Sequence, residues 1–139
     1  MKYLQKAFTL IELLVVIAII GILASVILAS LNDARDQGIQ AKLKTEMDSL
    51  AKRAAIEHSK GGSYDIVCGS NLATQSPEII ALIASIDTLA STTVVCNSEA
   101  DAYAASVGLE STHWCVDSIG SKSEIPDALT TSPKQLVCP

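Results

Sequence analysis

No proline precedes Pro77 in this 139-residue chain, so nothing in the first half interrupts a helix by removing a backbone donor. Histidine is scarce, with only His58 and His113, and Ser is abundant but no G-x-S-x-G frames a nucleophile. Together these absences argue against an enzyme. None of the four cysteines forms a C-x-x-C pair, and gaps of 28, 19 and 23 residues fit no common zinc module. Basic residues are rare after Gly61, with two Lys against nine Asp and Glu, a net charge of −7. A surface so acidic does not bind nucleic acid non-specifically, because such binding rests on neutralising phosphates. Glu99 with Asp101, or Asp117 with Glu124, are the carboxylate pairs nearest to a calcium set. They lack the dense oxygen spacing of a calcium loop, and solvated surface charge is the stronger reading. No cofactor and no metal are expected.

What is present is concentrated at the start. Phe8 to Leu31 is a run of 24 residues, nearly all Leu, Ile, Val or Ala, interrupted only by Thr9, Glu12, Gly21, Ser25 and Ser30. As a helix that run measures about 36 Å, enough to span the hydrocarbon core. It is too long for the apolar part of a cleaved secretory signal, so it reads as a retained anchor. Lys2 and Lys6 precede it and a balanced "NDARD" follows, which favours the N-terminus in the cytoplasm and the rest outside. Behind such an anchor, four cysteines read as two disulfides in an oxidising compartment. A globular part of about 79 residues needs that support, since so small a core supplies only about 3–5 kcal/mol.

The helix does not stop with the apolar run. Ile39, Leu43, Met47, Leu50 and Ala54 recur at spacings of 4, 4, 3 and 4, one stripe of a 3.6-residue period with charges on the other faces. Gly61-Gly62 is a strong stop, so one helix is expected from about Phe8 to about Lys60. Beyond it, Ser76-Pro77-Glu78 opens a second helix with Ser76 as cap. "TTVVCN" is β-prone, and "DAYAASVGL" with "STHWCVDSI" reads as a hairpin turning near Leu109-Glu110-Ser111. "KSEIPDALTTSPKQLVCP" reads as loop, with a short strand at Gln135 to Cys138. Tyr64 and Asp65 are expected to fix the loop after the glycines. Trp114, beside Cys115, is expected to be a core residue near a disulfide.

The stretch "KAFTLIELLVVIAIIGILASVILASL", Lys6 to Leu31, resembles the N-terminus of the bacterial type IV pilin and pseudopilin superfamily. The resemblance implies a leader of residues 1–7, cleavage of the Ala7–Phe8 bond by a prepilin peptidase, and N-methylation of Phe8. The leader ends in Ala7, where the family usually has glycine. It further implies an α+β subunit: a spine helix with a filament-core half (8–31) and an amphipathic half (32–60), packed on a small antiparallel-sheet head (61–139). Many type IV pilins carry a proline within the spine. This chain has none there, and Gly21 and Gly38 are its only intrinsic weak points. For the cysteines the resemblance favours Cys68–Cys96 and Cys115–Cys138, one of three connectivities.

Glu12 occupies the family's acidic position. A carboxylate at membrane depth costs on the order of 2.5–3.5 kcal/mol unless neutralised or paired. Three readings of it are open: pairing with the Phe8 amine of a neighbouring copy, pairing with its own N-terminus, or a silent protonated side chain. The resemblance favours the first, which sets the stagger of a filament. The function expected is a structural subunit of a surface filament, homo-oligomeric and held in the cytoplasmic membrane until an assembly machine extracts it. The alternatives are a pseudopilin of a type II secretion or competence apparatus, and a monomeric membrane-anchored binding module.

Overall fold

The unbroken helical period becomes one helix, α1, over Leu10–Gly61, in a computed structural model that describes residues 8–139. The chain divides into two compact units between Gly38 and Ile39. In the first unit every described residue is exposed. No side chain there has a core to enter, and the apolar helix stands bare.

In the second unit the same helix changes character. Met47, Leu50 and Ala54 are fully buried, Leu43 nearly so, and Ile39 packs at the edge of their cluster. Each such burial contributes about 1.5–3 kcal/mol for the larger side chains. The helix ends where Gly62, at φ +70°, donates to the carbonyl of His58 at 2.7 Å. Only a residue without a Cβ enters that left-handed turn freely. A short helix, α2 (Asp65–Cys68), follows. Then comes α3 (Pro77–Ala90), where Ser76 Oγ accepts the amide of Ile79 and Pro77 fills the first turn.

Four antiparallel strands complete the unit in the order β1 (Val95–Ser98), β2 (Tyr103–Gly108), β3 (His113–Asp117) and β4 (Lys122–Ile125). The register sets Cys96, Ala105, Val116 and Lys122 in one row, and Val107, Trp114 and Glu124 in another. Both rows lie on the side of the sheet that packs against α1 and α3. The alternate rows, with Ala104, Cys115 and Ile125, join Leu129 and Cys138 in a second cluster. The last fourteen residues thus cover the outer face, which is why the central strand β2 is buried from Tyr103 to Val107.

Two expectations change here. β4 falls within the stretch read as loop, whereas Gln135 to Cys138 forms no strand. The alternation of Lys122, Ser123, Glu124 and Ile125 looks solvated in one dimension. In the fold, Lys122 reaches Asp48 at 2.9 Å and Glu124 reaches Lys44 at 2.5 Å, so both edge-strand charges meet partners on α1. Residues 135–138 instead spend their backbone groups on side chains. Asn97 donates to the carbonyl of Gln135, and Asp117 accepts the amide of Cys138.

Candidate functional site

The N-terminal site is built from four consecutive residues, Thr9-Leu10-Ile11-Glu12. Thr9 sits just before α1, and Glu12 lies in its first turn. The amide and the hydroxyl of Thr9 both donate to Glu12 Oε2 at 2.8 Å. In return the amide of Glu12 donates to Thr9 Oγ1 at 3.3 Å. This is a reciprocal capping box, which satisfies donors that the first helical turn leaves unpaired. A carboxylate at this end of a helix is also favoured by the helix dipole. The pattern Thr-x-x-Glu before an apolar run was available in the sequence as the signal for it.

The box occupies one carboxylate oxygen, and among the described residues Oε1 accepts no hydrogen bond. Phe8 is exposed beside it, as are Ile11, Val15 and Val16 on the following turns. Ala7 lies outside the described residues, so the geometry of the Ala7–Phe8 bond is outside them too. The helix behind the site contains an 18-residue window of mean hydropathy 3.0, none of it buried within the molecule. Apolar side chains such as Leu10 at 88% and Ile22 at 66% exposure demand another medium, either lipid or other copies of the helix.

In the head, the structure joins Cys68 to Cys96 and Cys115 to Cys138, with Cα separations of 5.5 and 5.9 Å. The first bridge ties α2 to β1. The second ties β3 to the C-terminal strap. Asp117 supports the strap from the same strand: its Oδ1 accepts the amides of Ile119 and Ser121, and its Oδ2 accepts that of Cys138. Its oxygens are therefore committed to backbone, and Glu124 is committed to Lys44. Glu99 and Asp101 are exposed at the β1–β2 turn, and no cluster of three or more metal-ligating side chains forms among the described residues.

The remaining sequence candidates have structural partners. His58 stacks on Tyr64 at 4.1 Å between ring centroids, and Tyr64 leans on Tyr103 at 5.1 Å. His113 lies on the outer face of the sheet, opposite Ile125. Asp65 accepts from Ser63 and Asn71, which fixes the loop around α2. Trp114 is partly buried on the helix-facing side, with Lys44 Nζ 4.8 Å from its ring centre. Its neighbour Cys115 points to the opposite face, because adjacent strand residues alternate. Trp114 therefore packs in the cluster that contains Cys68 and Cys96.

A group the sequence did not single out links α1 to α3. Arg53 pairs with Glu57 at 2.6 Å and with Glu78 at 3.0 Å, and Lys60 adds a contact to Glu57 at 3.2 Å. Glu57 is buried on the core stripe of α1, so its charge needs both cations. Glu78 is held below the usual carboxylate range chiefly by its own backbone amide. Desolvation opposes that shift, and Arg53 reinforces it.

The described residues thus present an exposed apolar helix opened by a capped carboxylate and, after it in the chain, a disulfide-bonded α+β head. Residues 2–28 match the family described as the prokaryotic N-terminal methylation motif. That match is confined to the N-terminal stretch that carries the capped carboxylate and the start of the bare helix. Over 42 residues the chain is 57% identical to the type IV major fimbrial protein FimA and to a fimbrial protein, both of Dichelobacter nodosus. The match covers 29% of this chain and 26% of those relatives, so the chain spans about a quarter of their length in the aligned region. No solved structure matches the chain.

Proposed function

We propose that the chain is the structural subunit of a type IV pilus-like surface filament. The observation that carries this reading is the bare apolar helix, entirely exposed, with a single carboxylate at its start. The precursor waits in the cytoplasmic membrane, N-terminus inside, with residues 8–31 in lipid. A prepilin peptidase and methylase cuts between Ala7 and Phe8 and methylates the new amine of Phe8. Assembly machinery then moves the helix from lipid into a filament core made of identical helices, with residues 61–139 outward.

The capping box gives Glu12 a defined part in that exchange. Thr9 holds Oε2 in the monomer, leaving Oε1 to accept the Phe8 amine of a neighbouring copy. Before cleavage no such amine exists, because the nitrogen of Phe8 is a peptide amide. Processing therefore creates the partner at the moment assembly needs it. A copy in the wrong register leaves the carboxylate partly unpaired at membrane depth, a penalty on the order of 2.5–3.5 kcal/mol.

Two features favour a pilus over a secretion pseudopilus. The relatives matched are named as fimbrial proteins, and the C-terminal strap is closed by its own disulfide. Electron microscopy of sheared surface material tests the reading. Long fibres containing this chain are expected. Membrane-bound protein with no surface fibres would instead indicate a pseudopilin or an anchored module.

A further inference from the structure

The two disulfides sit in unlike surroundings. Cys115 lies in β3, an inner strand flanked by β2 and β4, and its partner Cys138 belongs to the strap that covers that face. Cys115 is 0% exposed and Cys138 9%. Cys96 instead lies in β1, an edge strand, and Cys68 closes the four-residue helix α2. Both are partly exposed at the margin of the main cluster. We propose that Cys68–Cys96 is a thiol-exchange site, opened by small dithiols in the folded head, while Cys115–Cys138 stays closed until the head unfolds.

Exchange requires a thiolate to reach one sulfur of the bridge. The first thiolate of the dithiol attacks that sulfur and forms a mixed disulfide, and the other cysteine leaves as a thiolate that takes up a proton. The second thiolate of the dithiol then attacks its own sulfur in the mixed disulfide, and the remaining cysteine leaves and is protonated. The protein gains two electrons and two protons, and the dithiol loses them as it closes to a cyclic disulfide.

The outcome of opening depends on what else holds each segment. The α2 loop has tethers that do not pass through its bridge. Val67 is fully buried, and the amide of Tyr64 donates to the carbonyl of Ala100 at 2.9 Å. The hydroxyl of Ser98 donates to Ser70 Oγ at 3.1 Å, and Gln75 donates to the carbonyl of Val67 at 2.7 Å. These contacts keep Cys68 beside Cys96 after reduction, so the bridge recloses on oxidation and the sheet is undisturbed. The loop around α2 loses one covalent restraint and becomes the redox-sensitive element of the head. Cys138 reaches solvent only when the strap lifts. Lifting it breaks the bonds from Asn97 to the carbonyls of Thr130 and Gln135, and the bond from the Cys138 amide to Asp117.

The full chain in detergent micelles is treated with dithiothreitol without denaturant, sampled over time, alkylated with iodoacetamide and mapped by peptide mass spectrometry. Alkylation of Cys68 and Cys96 is expected at least about tenfold faster than that of Cys115 and Cys138, since a buried bridge reacts only through openings of the fold. In guanidinium chloride the two rates should converge. Hydrogen exchange of the chain reduced at the first bridge should quicken at the amides of Val67, Ser70 and Ala73 and stay unchanged at Leu129 and Cys138. Equal rates without denaturant, earlier opening of Cys115–Cys138, or exchange that is unchanged near α2 or quickens throughout the head would overturn the proposal.

Discussion

Residues 10–38 and 39–61 are one continuous helix in two different situations. The first part exposes Leu, Ile and Val on every side. The second buries one stripe and ion-pairs much of the rest. Backbone geometry is the same, so secondary structure does not distinguish them. What differs is what each side chain has been given to pack against. The head carries its own core, two disulfides and a charged clasp. Among the described residues the N-terminal part has its hydrogen-bonded backbone, the Thr9–Glu12 cap and a bond from the Ser25 hydroxyl to the carbonyl of Ile22, and its apolar side chains are left for lipid or other copies to cover.

That contrast predicts that substitutions in one part leave the other part's property intact. The largest effect is expected from Glu12→Ala. Loss of a registration energy of 2.5–3.5 kcal/mol lowers fibre yield by about two orders of magnitude. Membrane insertion and thermal unfolding of the head stay unchanged. Normal fibre counts in that variant would remove the registration role. In the other direction, replacing Cys115 and Cys138 together by Ser should destabilise the head by about 2–5 kcal/mol. Denaturant unfolding would show it, and the N-terminal helix would still insert in membranes.

Leu50→Ala acts on the same side of the comparison. It removes a fully buried side chain and should cost about 2–4 kcal/mol in the same assay. Leu23→Ala, an identical change on the bare helix, should leave head unfolding where it was. A shared effect of the two would show that the parts are not separate in stability. The smallest effect belongs to Glu78→Gln. Its carboxyl is depressed in the folded state, so its contribution is present above the ordinary carboxylate pKa and is lost as pH falls through the folded value. Wild type and variant should differ slightly in melting temperature at neutral pH and converge in acid.

The helix was legible because its signals are local and repeated: no proline, a 3.6-residue stripe and a double-glycine stop. Ser76-Pro77 and the hairpin strands were legible for the same reason. β4 was not, since Lys122 and Glu124 look solvated until Asp48 and Lys44, distant in sequence, are brought beside them. The strap was misread as ending in a strand because Val137 and Cys138 look β-prone, whereas Asn97 and Asp117 hold that segment through their side chains. The cysteine count left three pairings open, and only the fold brings particular Cα atoms within bridging distance. At the N-terminus the charge of Glu12 drew attention to its burial in a membrane. The capping role written in Thr9-x-x-Glu12 was equally local and equally readable.

On the proposed function, the chain that reaches the surface starts at a processed Phe8, two residues before α1. Mass spectrometry of the chain recovered from sheared surface material tests it most directly. Loss of Met1 to Ala7 and the addition of one methyl group on the amine of Phe8 are expected. A chain that retains Ala7 at its N-terminal side, with Phe8 still in peptide linkage, would contradict it.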